Sequence, residues 1–151
     1  MLQRIQTIYL LVSTLFLSVF LFIPIFKFNS GNIIFDTISI ESLSVNQQVT
    51  TINTFPLALL AIITIILTIV TILLFKKRSL QMKFISYSII LLIGFYLLIA
   101  FYRFFVIDFE ITSTTYSFSL IIPLISVILN YMAKRSIKKD DDLVKSVDRI
   151  R

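Results

Sequence analysis

The chain has 151 residues, a formal net charge of +6, 58% hydrophobic side chains and a mean hydropathy of +0.98, against about 45–50% apolar residues in soluble domains. It contains no cysteine and no histidine, which removes disulfides, thiol nucleophiles, thiolate metal sites and the commonest general base. The length suits one compact unit rather than two domains.

Residues 1–7, MLQRIQT, carry Arg4, and residues 5–26 carry no charge at all. A secretory signal has a basic start too, but its apolar core is about 7–15 residues long and ends at a small-residue cleavage site. This run is longer and ends in Phe-Ile-Pro-Ile-Phe. It predicts an uncleaved first transmembrane helix over residues 8–26, with Pro24 near its outer end. Residues 27–54 are a polar connection with a turn-like Asn29-Ser30-Gly31-Asn32, followed by a strand-like run at residues 33–45.

Residues 55–75, FPLALLAIITIILTIVTILLF, organise the rest. They have no charge, and their only polar side chains are threonines. About 20 apolar residues in a helix span roughly 30 Å of hydrocarbon. An open strand in lipid would leave its backbone groups unsatisfied, so the run must be helical. Pro56 sits in the first turn, where proline is tolerated. Lys76-Lys77-Arg78 then holds that end at the cytoplasmic face.

After a short turn at residues 76–83, the charge-free residues 84–102 predict a third helix. Residues 103–115 form a second outer connection. Its alternating stretch at 106–112 is expected to pair with residues 33–45, giving a small outer cap of short β-strands. Residues 116–133 predict the fourth and most polar helix. Residues 134–151 are a charged cytoplasmic tail. Within it, Leu143, Val144, Val147 and Ile150 share one helical face. Asp140, Asp141 and Asp142 stand where a helix start favours negative charge, Asp142 is placed to cap it, and Asp141 with Lys145 is a favourable i,i+4 pair. A short amphipathic helix, docked through those four apolar residues, is the expectation.

All of the 14 basic residues except Lys27 and Arg103 fall on the side assigned to the cytoplasm. That bias sets orientation, places both termini inside, and accounts for the positive charge without nucleic acid. Tyr9, Tyr102, Tyr116 and Tyr131 stand near the predicted boundaries, as interfacial aromatics do. The fold class read from these elements is an all-α membrane protein. Residues 1–133 form a four-helix transmembrane bundle with a small outer cap.

The opening MLQRIQTIYLLV and the closing AKRSIKKDDDLVKSVDRIR together resemble the bacterial domain-of-unknown-function family numbered 4293. The resemblance covers essentially the whole chain, with QRIQT-Y and D-LV-S-DR-R as its specific parts. It implies a small four-span protein of the bacterial inner membrane, mainly in Bacteroidota. It implies no activity, cofactor or catalytic residue.

The outer acids are Asp36, Glu41, Asp108 and Glu110. Asp108 and Glu110 share a face on a strand, and paired carboxylates can serve acid–base chemistry or bind a hard cation. A solvated strand face is the expected reading, because carboxylates are mostly exposed and nothing else in the chain supports catalysis. Within the spans there is no ionisable aspartate, glutamate, lysine or arginine of the kind that marks ion paths. The polar residues there are small. Ala61, Thr64, Thr68 and Thr71 line one face of the second helix. Ser119, Pro123, Ser126 and Asn130 line one face of the fourth, Thr7, Thr14 and Ser18 form a stripe on the first, and the third offers Gly94. Small residues let helices approach closely, and hydroxyls can bond across the contact. A polar groove for a lipid headgroup, centred on Asn130, is the sharper alternative. The expected role is a non-enzymatic accessory or scaffold protein, without cofactor or metal, acting on a membrane or cytoplasmic protein partner. A lipid- or small-molecule-handling protein with a groove between helices is the alternative.

Overall fold

The structure, a computed structural model, describes residues 2–23, 25–28, 33–35, 40–45, 48–75, 77–106, 114–116 and 118–148. Four helices make the fold: α1 (Leu2–Phe20), α2 (Phe55–Leu73), α3 (Arg78–Phe101) and α4 (Ile121–Asp148). A π-helical turn, Tyr102–Val106, extends α3, and a 3₁₀ turn, Phe118–Leu120, leads into α4. Three stretches are long and apolar enough to cross a membrane: Phe55–Leu73, Arg78–Phe105 and Phe118–Ser146. The apolar run of α1, Ile5–Phe20, is shorter.

The helices differ from the sequence-based limits in one consistent way. Helix α1 begins at Leu2 rather than residue 8, α3 begins at Arg78 rather than residue 84, and α4 continues to Asp148 rather than ending at residue 133. Charged and polar residues mark where hydrocarbon ends, not where a helix ends. Leu, Gln, Met, Lys and Arg are good helix formers, and no glycine or proline interrupts these extensions. The far end of α1 is set by proline instead. The residue before a proline disfavours the helical region, and the chain leaves α1 at Phe20. Tightening bonds from Phe22 N–H to the Val19 carbonyl and from Ile23 N–H to the Phe20 carbonyl, both 3.1 Å, close the helix.

Each helix packs chiefly on two neighbours: α1 on α2 and α4, and α3 on α2 and α4. The buried rows show how. They are Gln6, Leu10, Ser13, Leu17 and Phe20 on α1; Leu57, Ala61, Thr64, Thr68 and Thr71 on α2; Gln81, Ile85, Ser88, Leu92, Phe95 and Ile99 on α3; and Pro123, Ser126, Asn130, Ala133 and Ile137 on α4. Every row advances in alternating steps of four and three, the spacing of a left-handed coiled coil. Two apolar clusters hold the ends of this interior. One contains Phe20, Ile25, Leu57, Ala61, Phe95, Ile99 and Tyr102, with Leu120 and Ile122 packed on it. The other contains Leu10, Ile85, Ala133 and Ile137. Phe20 meets α4 near residue 120 and Leu10 meets it near residue 135, so α1 and α4 run antiparallel.

The outside is more apolar than the inside. Leu11 and Leu15 on α1, Ile62 and Ile66 on α2, Ile90 and Leu97 on α3, and Leu124 and Ile128 on α4 are all exposed. Ten of the buried positions on the helices and their 3₁₀ entry are polar: Gln6, Ser13, Thr64, Thr68, Thr71, Gln81, Ser88, Ser119, Ser126 and Asn130. In water so continuous an apolar exterior would aggregate. In lipid it is the normal solvated face.

The connections carry short antiparallel backbone pairings. Strand β1 (Phe26–Phe28) pairs with β2 (Ile33–Phe35) and β5 (Thr114–Tyr116), and β3 (Ile40–Val45) pairs with β4 (Gln48–Asn53). The pairing expected between residues 33–45 and 106–112 is not among them. Residues 107–112 lie outside the described residues, and Val106 ends the π turn. Pairings this short do not by themselves make a cap, because small isolated sheets are marginally stable.

Candidate functional site

The small-residue face of α2 lies inside, with Ala61, Thr64, Thr68 and Thr71 all buried. Its hydroxyls do not bond across to other helices. Thr64, Thr68 and Thr71 donate to the carbonyls of Leu60, Thr64 and Leu67 at 2.8, 3.0 and 2.7 Å. Ser88 and Ser126 likewise donate to Phe84 and Ile122, each at 3.1 Å. These residues therefore serve by being small and by satisfying themselves on their own helix. Bonds that do cross helices include Ser13 Oγ to the Ser126 carbonyl at 3.5 Å and Tyr96 Oη to the Leu120 carbonyl.

Two expectations need correction. Gly94 is only half-buried, and a Cβ built there meets nothing within 4 Å, so it is not a point of close helix approach. On α1 the inward row is Gln6, Leu10, Ser13, Leu17 and Phe20, while Thr7, Thr14 and Ser18 are half-buried beside it. Ser126 and Asn130 are buried on the expected face of α4, and Ser119 is buried in the 3₁₀ turn that leads into it.

The tail is also different from expectation. It is no separate helix but the continuation of α4, and Asp140, Asp141 and Asp142 lie inside that helix rather than at a start. Leu143 and Val144 are 49% and 45% exposed. Nothing is described of the Val147 side chain, and Ile150 lies outside the described residues. Other residues tie the continuation down. Ile137 is fully buried against Leu10 and Ile85. Asp140 meets the Arg78 guanidinium at 3.1 Å, and Arg78 also donates to the Asp140 carbonyl at 3.4 Å. The Asp141–Lys145 pair forms, at 2.6 Å, on the exposed surface.

Chemistry concentrates at this basic end of the fold. Gln6, Gln81 and Asn130 are buried there or within the adjacent turn, and sequence reasoning missed both glutamines. The only signal for them was position: each falls on its helix's four-three row. Among the described residues, the Gln6 Nε2 and both amide atoms of Asn130 are buried with no hydrogen-bond partner, an arrangement that costs roughly 1–3 kcal/mol per group. A pocket of about 440 Å³ is lined by Gln6, Thr7, Ile8, Leu11, Phe75, Arg78 and Gln81. A more open groove of about 790 Å³ runs along α4 beside Tyr131, Lys134, Arg135, Lys138, Lys139, Asp142, Leu143 and Ser146. At the opposite end, Leu17, Phe20, Ala61, Thr64, Leu92, Phe95 and Pro123 enclose a gap too small for a water.

Among the described residues no three acidic side chains gather where a metal could sit. Of the outer acids, Asp36, Asp108 and Glu110 lie outside the described residues, and Glu41 stands in β3 opposite Ile52.

The model of one family, described as "Domain of unknown function (DUF4293)", matches residues 2–150. The chain belongs to that family. No curated protein and no solved structure matches it. The DUF4293 match runs through all four helices, their connections and the continuation of α4.

Proposed function

We propose that the protein is a multi-pass membrane protein of the bacterial inner membrane that acts as a non-enzymatic accessory or scaffold protein, with α4 as its contact arm. In this reading all four helices span, α1 with the help of its neighbours, and the short strands lie at the outer face as a cap. Both termini and the basic end face the cytoplasm, in line with the distribution of lysine and arginine. One observation carries the reading. Beyond Asp140 the helix continues to Asp148 with Leu143 and Val144 exposed beside Lys138, Lys139 and Lys145. Leu143 and Val144, side by side on an ordered helix beyond the membrane, offer a small apolar contact to a partner surface. The absence of histidine and cysteine from the chain supports a role without catalysis.

The test has two steps. Reporter fusions after residue 151 and within residues 29–53 should report opposite sides of the membrane; a periplasmic tail rejects the topology. Purification from gently solubilised native membranes should then yield a stoichiometric protein that is lost with Leu143→Asp plus Val144→Asp. Retention of the same protein by that variant rejects the arm as the contact.

A further inference from the structure

We propose that the pocket between the start of α1, the end of α2 and the start of α3 holds the phosphate of a phospholipid headgroup, gripped by Arg78, Gln6 and Gln81. The proposal rests on the membrane placement above but not on the arm or its partner. Gln6 is 5% exposed, lines the pocket, and keeps a buried amide nitrogen with no acceptor among the described residues. A buried donor without an acceptor is unfavourable, and a turn of the Gln6 side chain towards the pocket it lines would give that nitrogen a phosphate oxygen. Gln81, also 5% exposed, lines the same space. Arg78 brings a guanidinium, whose planar fork suits phosphate. Arg78 opens α3, where the helix dipole favours an anion, and Gln81 follows one turn on with its own N–H bonded to the Lys77 carbonyl at 3.0 Å.

The remaining wall decides between a lipid and a soluble phosphate. Ile8, Leu11 and Phe75 line the pocket and are 57%, 53% and 53% exposed. They belong to the outward apolar surface, so a molecule with its phosphate on Arg78 lays its chains along that surface. The depth agrees. Phe75 ends the charge-free run that holds α2, and Lys76, Lys77 and Arg78 follow at once, which is the level of headgroup phosphates. The pocket's size of about 440 Å³ accommodates a headgroup and leaves the acyl chains outside. Asp140 already holds two nitrogens of Arg78, so it competes with the phosphate for the same guanidinium.

The experiment uses the full chain in a neutral detergent. Phosphatidylglycerol, diacylglycerol of the same chains, and water-soluble glycerol phosphate are each titrated, with native mass spectrometry counting retained molecules and thermal unfolding reporting stabilisation. One phosphatidylglycerol should be retained per chain and should raise the melting temperature, whereas diacylglycerol and glycerol phosphate should do neither. Arg78→Gln should weaken retention by about tenfold, as loss of a charge-assisted pair does. Gln6→Met, of similar shape, separates binding from folding. Without lipid it should melt no lower than the native chain, because it removes an unsatisfied amide, yet it should lose the lipid-induced rise. Asp140→Asn should retain the lipid at least as well. Equal retention of diacylglycerol, equal stabilisation by glycerol phosphate, a full lipid-induced rise in Gln6→Met, or loss of binding in Asp140→Asn each overturns the proposal. So does a loss in Lys134→Gln plus Lys138→Gln as large as in Arg78→Gln, which would reveal diffuse attraction to basic surface.

Discussion

The two ends of the helical interior are built on opposite principles. At one end Phe20 and Phe95 meet edge-on with ring centroids 5.5 Å apart, among Ile25, Leu57, Ile99 and Tyr102. At the other, a smaller set of aliphatic residues, Leu10, Ile85, Ala133 and Ile137, shares the space with buried amides that lack partners among the described residues. Lipid gives helices no hydrophobic reason to associate, so shape fit and satisfied polar groups must hold them. The aromatic end meets that demand by shape, and its enclosed gap admits no water. The basic end leaves it partly unmet and carries the ion pair, the pocket and the arm instead. Stability resides at the first end, and the capacity to meet something else resides at the second.

Substitutions sharpen this contrast or break it. The largest effect belongs to Phe95→Ala, which should lower stability in detergent by about 3–5 kcal/mol; a loss no greater than that from Ile85→Ala would equalise the two ends. Thr68→Phe, at a position 1% exposed, should cost about 1–3 kcal/mol by overpacking. Ile69→Phe, on the adjacent exposed position, should melt like the native chain, and equal melting of both variants would remove the interior face of α2. Asn130→Leu should act in the opposite direction and raise stability by about 1 kcal/mol, because it replaces an unsatisfied amide with an isosteric apolar group. A fall in melting temperature would show that the amide is satisfied in solution. Asp140→Asn is the mildest. Its ion pair is partly exposed and should contribute about 0.5–1 kcal/mol, read best as faster proteolysis of α4 beyond residue 140 rather than as a shift in melting.

Much of the core was legible, for a specific reason. On α2 the threonines are the only departures from an all-apolar helix, so they point to the face that small residues favour. On α1 the same logic failed. Thr7, Thr14 and Ser18 outnumber Ser13, yet Ser13 is the one that packs inward beside Leu10 and Leu17. When the solvent is as apolar as Leu, a buried Leu and a lipid-facing Leu cannot be told apart by hydropathy, and only the four-three spacing distinguishes them. Gln6 and Gln81 escaped notice because uncharged amides near the span ends resemble ordinary interfacial residues. The continuity of α4 escaped because Asp140, Asp141 and Asp142 resemble a helix start. With neither glycine nor proline upstream to stop the previous helix, they occupy its interior instead.

That continuity has a mechanical side. From Leu124 to Asp148 the chain contains no residue that bends or breaks a helix, and the 28 residues of α4 make a rod about 42 Å long at 1.5 Å per residue. A rod without a joint cannot turn at one end and stay still at the other. Torque applied near Leu143 is carried past the Arg78–Asp140 clamp to Ser126, whose carbonyl meets Ser13 of α1. The clamp adds its hold to that of buried Ala133 and Ile137, so the exposed tip and the membrane-embedded half keep one azimuth.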